Sequence, residues 1–250
     1  MTDYTSIESI RLASGLRMAC LRGIPSPWSE AAKGIFRVKR LSCLYGAQFD
    51  GDSDNAIAHY YGNSSVPVVL YNDEKPRTGW AEILVLAERL TDSMPLIPDD
   101  ADERADLFGI AHEICGEMGL GWSYRLVMVG DGQGGAFPSG VTRYLAGKYG
   151  HNPVHASAAL KRVISILRML SQRLEASEFL TGSQLTAADI YWATFANLII
   201  PLPEDLMPTV PMIRKAYECK DERVLEAISP RLAAHQRRIY EEFLELPVQL

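Results

Sequence analysis

Short apolar runs alternate with longer periodic ones in the first ninety residues. Leu16-Arg17-Met18-Ala19-Cys20-Leu21 reads as a strand. A loop punctuated by Pro25 and Pro27 comes next, and Ser26-Pro27 has the chemistry of a helix start, Ser at the N-cap and Pro at the first helical position. Ala31, Ala32, Ile35, Phe36 and Val38 carry a mostly helical pattern to about Arg40. Leu41 to Phe49 predicts a second strand, and Asp50 to Asn63 is polar and turn-rich, with a short helix at Asp54–Tyr61. Ser64-Ser65-Val66-Pro67-Val68-Val69-Leu70-Tyr71 has the composition of a buried strand, with Pro67 at its start, where a sheet tolerates the missing donor. After the turn at Asn72–Pro76, Gly79 to Leu90 is an amphipathic helix with Ile83, Leu84, Leu86, Ala87 and Leu90 on one face. The order β-α-β-(α)-β-α predicts a right-handed parallel crossover. At roughly 80 residues, such a unit is near the lower limit for a self-sufficient core and must lean on the rest of the chain.

Beyond Ser93–Asp100, a linker with two prolines, the pattern becomes helical. Helices are predicted over Asp102–Met118, Trp122–Val129 and Val141–Tyr149. The clearest spans Ser157–Glu175, where Leu160, Val163, Ile164, Leu167, Leu170 and Leu174 recur at three- and four-residue steps. Thr186-Ala187-Ala188-Asp189 is a capping box: the hydroxyl can cap the Asp189 amide and the carboxylate can reach back. The nearly all-apolar run Ile190–Ile200 behind it marks the centre of a helical unit, ended by Pro201 and Pro203. Met207–Glu218, Glu222–Ile228 and Pro230–Glu245 complete the helices.

Composition narrows the function classes. With 47% hydrophobic and 22% charged residues, the 250-residue chain is an ordinary globular one. Its net charge of −6 argues against nucleic acid, which needs a basic face. No apolar run approaches the ~20 residues of a membrane span, and Met1–Arg11 does not read as a signal peptide. Cys20, Cys43, Cys115 and Cys219 are scattered, as in reduced thiols of a cytoplasmic protein. His112-Glu113-Ile114-Cys115-Gly116 begins like a zinc-protease helix but lacks the second His, and His151 and His155 flank Pro153 with no third ligand, so no metal is expected. Gly130-Asp131-Gly132-Gln133-Gly134-Gly135 matches G-x-G-x-x-G without the helix or the later acid of a dinucleotide site, and reads as a loop.

Three segments together carry a family resemblance. Phe179-Leu180-Thr181-Gly182-Ser183-Gln184-Leu185-Thr186-Ala187-Ala188-Asp189-Ile190 resembles the approach to the central helix of the cytosolic glutathione transferases. Ser65-Val66-Pro67-Val68-Val69 resembles their third-strand entry, and Ser26-Pro27-Trp28-Ser29-Glu30 their active-site turn. The resemblance spans essentially the whole chain, and the T-x-x-D segment is its most specific part. It implies a thioredoxin-like domain at about residues 1–92, a linker at 93–97 and an all-helical domain at 98–250. It also implies glutathione as co-substrate, a homodimer and a small hydrophobic electrophile as second substrate. Carried over residue by residue, Val66 before a cis Pro67 would pair with the cysteinyl backbone of glutathione as an added strand. Ser26 would hydrogen-bond the sulfur and favour its thiolate, with Ser29 as the local competitor for that role. His112, Trp122, Tyr124 and Arg125 fall where the family builds its electrophile pocket, a core or surface role being the alternative, and Trp28 joins them.

One stretch departs from the pattern. Where the family has an acidic residue and Ser to hold the γ-glutamyl carboxylate, this chain has Gly79 and Trp80. The Thr78 hydroxyl and the Gly79 amide are the remaining candidates for a carboxylate at that helix N-terminus, and Trp80 is either a substituted ligand contact or simple packing. The functional expectation is therefore a glutathione transferase-like enzyme acting in detoxification chemistry. The alternative is a binding or scaffold protein that keeps the fold without using glutathione.

Overall fold

The computed structural model describes residues 4–49, 56–62, 65–130 and 137–250. Among them, a four-stranded sheet has the order β1-β3-β2-β4, with β1 at Tyr4–Thr5, β2 at Leu16–Arg22, β3 at Leu44–Phe49 and β4 at Val68–Tyr71. β2 and β3 are parallel, Met18 opposite Tyr45, and are joined by helix α2 (Pro27–Val38); β4 runs antiparallel to β2, Met18 opposite Val69. The crossover expected from the alternating pattern is present. β3 begins three residues later than Leu41, after a turn at Lys39–Arg40. The outer edge of β4 is closed by an isolated bridge, Val69 N–H to the Arg77 carbonyl at 2.8 Å and the Arg77 N–H back at 2.9 Å.

Strand β1 and the helix after it, α1 (Ile7–Leu12), are not visible in the hydrophobic pattern. Two residues are too few for a period, and α1 shows only Ile7 and Ile10 as buried positions. Ser6 caps it, accepting from the Ser9 amide at 3.0 Å. Its Ile10 lies so close to β3 that a Cβ on Gly46 would stand 2.7 Å from the Ile10 side chain, which is why that strand position carries no side chain. The Asp54–Tyr61 helix is α3, Ala56–Tyr61 in the described residues. Ser64 and most of the Gly130–Gly135 loop lie outside them.

Helix α4 (Trp80–Leu90) packs on α2. Helices α5 (Ala101–Cys115), α6 (Leu120–Val129), α7 (Ser139–Tyr149), α8 (Pro153–Ala176) and α9 (Ala187–Ala196) come next. Then come α10 (Pro211–Tyr217), α11 (Glu222–Leu225) and α12 (Pro230–Phe243). Every residue of α9 is buried, with α2, α5 and α12 packed around it. α9 stops four residues short of Ile200 because Asn197 opens a turn: its Oδ1 accepts from the Leu202 amide at 3.1 Å and its Nδ2 donates to Tyr240 at 2.8 Å.

One hydrophobic core runs without a break from β2, α2 and α4 into the helices α5 to α12. A separate small cluster, Ile7, Ile10, Ala19, Ile57, Val68 and Leu70, fills the other face of the sheet. The α/β unit thus borrows its core from the helical segment, as its size requires. None of the described helices is long and apolar enough to cross a membrane.

Candidate functional site

A cleft of about 270 Å³ opens where the N-terminal end of α2 meets β4, α6, α7 and α10. Four of the residues singled out in the sequence line it: Ser26, Trp28, Val66 and Arg125. Each arrives by a different route through the fold. Ser26 is the N-cap of α2 by backbone geometry, yet its side chain makes no capping hydrogen bond. The half-buried hydroxyl is therefore available to the cleft beside a helix N-terminus whose first amides have no intrahelical acceptor. Val66 is held at the entry of β4 by the buried Pro67, and the bond between them is cis. Ser29, the competing serine, is 1% exposed, does not line the cleft, and its hydroxyl has no partner among the described residues.

Trp28 is the joint between the two segments. Its Nε1 donates to the Cys115 carbonyl at 3.0 Å, and its ring meets Phe195 edge-on at 4.8 Å and Tyr149 at 6.4 Å. Arg125 is 7% exposed, and no carboxylate among the described lining residues pairs with it. Its Nη2 donates to the Tyr217 hydroxyl at 2.9 Å; that hydroxyl lies 3.4 Å from the Pro25 carbonyl, to which it donates. A chain of two hydrogen bonds thus ties the cation of α6 to the residue before Ser26. Nη1 reaches the Met128 sulfur at 3.7 Å, and Nε has no partner among the described residues.

The remaining candidates are placed elsewhere. His112 does not line this cleft: it is exposed near the C-terminal end of α5, its ring beside Gly116. Trp122 lies one turn before Arg125 but turns its half-buried ring edge-on to Tyr149 at 4.9 Å, outside the cleft lining. Thr78, Gly79 and Trp80 do not line the cleft either. Thr78 is exposed. The Gly79 amide points at the chain's own Glu82 carboxylate, 3.4 Å away, so the helix N-terminus considered for a ligand carboxylate already faces an internal one. The Trp80 ring lies 5.6 Å from Tyr191, edge-on, and 6.2 Å from Phe108, and its carbonyl accepts from the Tyr191 hydroxyl at 3.3 Å.

Among the described residues, the cleft holds no poised protein thiol. Burial pushes the Cys20 thiol up to about 12, and burial likewise raises Cys43 and Cys115. A second cleft, about 380 Å³, lies between α2, β3 and residues 244–249. Two of its charged groups pair with each other: Lys33 Nζ is 2.8 Å from Glu30 and also donates to the Gln249 carbonyl at 2.6 Å. No group of three acids, histidines or cysteines among the described residues could hold a metal.

Several lining residues carried no sequence signal. Lys148, Tyr149 and Tyr217 line the same cleft as Arg125, yet lie 23, 24 and 92 positions from it. Tyr149 and Lys148 end a short helix of mixed pattern, and nothing in that pattern distinguishes a cleft-facing side from a solvent-facing one.

No protein-family model and no curated protein sequence matches the chain. Solved structures do. A glutathione S-transferase from Methylobacillus flagellatus with glutathione bound superposes with a TM-score of 0.65 at 16% identity, covering 91% of this chain and 96% of the other. A glutathione S-transferase domain-containing protein from Marinobacter aquaeolei gives 0.65 at 15% identity, covering 92% and 100%. Glutathione transferase Omega 3C from Trametes versicolor gives 0.60 at 13% identity, covering 94% and 89%. The chain has the glutathione transferase fold, a thioredoxin-like sheet unit followed by a helical bundle.

Proposed function

We propose that this chain of glutathione transferase fold uses the cleft at Ser26 to bind glutathione and conjugate its thiolate to a small hydrophobic electrophile. The observation that carries the reading is the uncapped Ser26 hydroxyl, facing the same cleft as Val66 and Trp28. An extended peptide can lie along the Val66–Pro67 edge, which brings a cysteinyl sulfur toward Ser26. A hydroxyl donating to that sulfur, with the positive end of α2 beside it, stabilises the thiolate over the thiol and lowers its pKa. The thiolate then attacks an electrophilic carbon of the substrate held against the apolar wall, the carbon–sulfur bond forming as the leaving group departs with its electron pair, chloride in the case of a chloronitrobenzene. The sheet unit at about residues 1–92 would supply the glutathione side and the helices from 98 onward the electrophile side, with a homodimer in the cytoplasm as the working form. Glutathione bound in structures of the same fold is consistent with this reading.

Calorimetric titration with glutathione tests binding, and conjugation of a chloronitrobenzene probe tests turnover. Ser26→Ala should lower turnover by roughly a hundredfold, in the range of a lost electrostatic donor, while leaving glutathione affinity within a few-fold. Turnover that survives Ser26→Ala and disappears in Ser29→Ala would overturn the assignment.

The Glu82 carboxylate at the Gly79 amide favours a second reading, a binding protein that keeps the fold without using glutathione. Absence of any heat at millimolar glutathione would select it.

A further inference from the structure

The cleft combines apolar walls with charge of one sign. Phe137, Val141, Leu145 and Ile213 supply wall, and Trp28 and Tyr149 supply ring faces. Set into it are Arg125 and Lys148, and no Asp or Glu is among the described lining residues. This is the reverse of the chain as a whole, whose net charge is −6. Lys148 sits at the mouth, its ammonium 5.9 Å from the Tyr144 ring centre and 5.8 Å from that of Tyr149. Loss of water around it, and then the Arg125 charge, lower its pKa.

Arg125 is the more telling group. A guanidinium keeps its charge at any ordinary pH, and burying one without a carboxylate is costly. The Tyr217 hydroxyl satisfies one nitrogen and the face of the same ring, 5.1 Å from the guanidinium carbon, shields it, but Nε remains without a partner among the described residues. No described lining residue neutralises this charge, and the fork of N–H donors matches a planar two-oxygen anion.

We infer that the electrophile side of this cleft takes an apolar organic carboxylate, an aromatic or branched-alkyl acid whose carboxylate meets Arg125 and whose hydrocarbon body lies between Trp28 and the α7 wall. This rests on reading the cleft as a small-molecule site but does not need glutathione. Low-dielectric walls strengthen the attraction between carboxylate and guanidinium, and Lys148 at the mouth draws anions toward an opening in an otherwise acidic protein. The tie from Arg125 through Tyr217 to the Pro25 carbonyl places the bound acid at a set position relative to Ser26.

The test is calorimetric titration of the full chain, without glutathione, using phenylbutyrate and phenylbutanol, which share a skeleton and differ in charge. Phenylbutyrate should bind at least about tenfold more tightly, the margin of one charge-assisted hydrogen bond. That margin should shrink with added salt, fall a few-fold in Lys148→Met, and vanish in Arg125→Gln while Arg125→Lys keeps part of it. Equal affinity for acid and alcohol, or no binding of either at millimolar concentration, overturns the inference, as does a preference for the acid that survives in folded Arg125→Gln. Should Arg125→Gln not fold, the acid–alcohol comparison on the native chain and Lys148→Met decide. A parallel glutathione titration separates the two readings: glutathione binding without acid preference sinks this inference alone, and acid preference without glutathione binding sinks the transferase reading alone.

Discussion

Asp189 has no exposed surface, and its carboxylate takes four hydrogen bonds. The Leu180 amide donates at 2.9 Å, the Thr186 amide at 3.0 Å, the Thr186 hydroxyl at 3.2 Å, and His235 Nε2 lies at 2.8 Å. The T-x-x-D box was legible in the sequence as a cap. The spacing did not reveal that the same carboxylate also holds the loop before it and a histidine 46 residues later. Removing it strands the Leu180 amide, the Thr186 amide and the His235 ring nitrogen at once, the Thr186 hydroxyl keeping Thr181 as a partner, so Asp189→Ala should lower unfolding free energy by about 3 kcal/mol or more in urea titration, well beyond the ~1 kcal/mol of a simple cap. Ser26 and Ser29 make the complementary point. Sequence chemistry offers both as hydroxyls at the start of one helix; only the position of that turn against β4, α7 and α10 shows which of them faces the cleft.

At the scale of elements, periodicity predicted nearly every helix but not how each is turned. Trp122 and Arg125 stand three residues apart on α6, neighbours on a helix surface, yet the indole meets Tyr149 outside the cleft and the guanidinium enters it. The approach of α6 to α9 and α2 depends on Gly121. A Cβ there would overlap the Phe195 ring and stand 3.1 Å from the Trp28 indole. Gly121→Ala therefore forces two interlocked aromatic rings to move, and overpacking of this kind costs about 1–3 kcal/mol. The expected result is a lower thermal midpoint together with a shift in tryptophan emission, since Trp28 must shift against Phe195 and Tyr149.

At the scale of the whole molecule, residues 244–249 return to the N-terminal unit. The Gln249 carbonyl accepts from Lys33 Nζ at 2.6 Å and from the Tyr4 hydroxyl at 3.0 Å, and the Val248 amide donates to the Leu206 carbonyl at 2.8 Å. Beneath this strap lies the Glu30–Lys33 pair. Burial raises the Glu30 pKa above 4.5, opposed by the Lys33 charge. The folded chain therefore keeps a proton on Glu30 at a pH where the unfolded chain has released it, and this contribution to stability is lost as pH rises through the folded value. Unfolding free energies of the native chain and of Glu30→Gln, compared from pH 4.5 upward, should show the native chain losing ground to the variant as pH increases. A difference that grows in favour of the native chain would contradict this assignment of the shift.

The amino-acid sequence by itself determined the local elements and the few segments where they join: the Ser26-Pro27 start, the Val66-Pro67 strand entry and the Thr186–Asp189 cap. These arise from backbone preferences and from neighbours within a turn, both of which sequence spacing records. The residue types at Gly79 and Trp80 were legible too, but not that the Gly79 amide faces the Glu82 carboxylate and that the Trp80 carbonyl accepts from Tyr191. Tertiary structure alone decided which side chains share a cleft. Arg125, Lys148 and Tyr217 meet Ser26 and Val66 only because one core joins the sheet unit to the helices, and the direction of a helix face in that core depends on partners far away in the chain. The charge of the cleft, opposite in sign to that of the chain, belongs to the fold for the same reason.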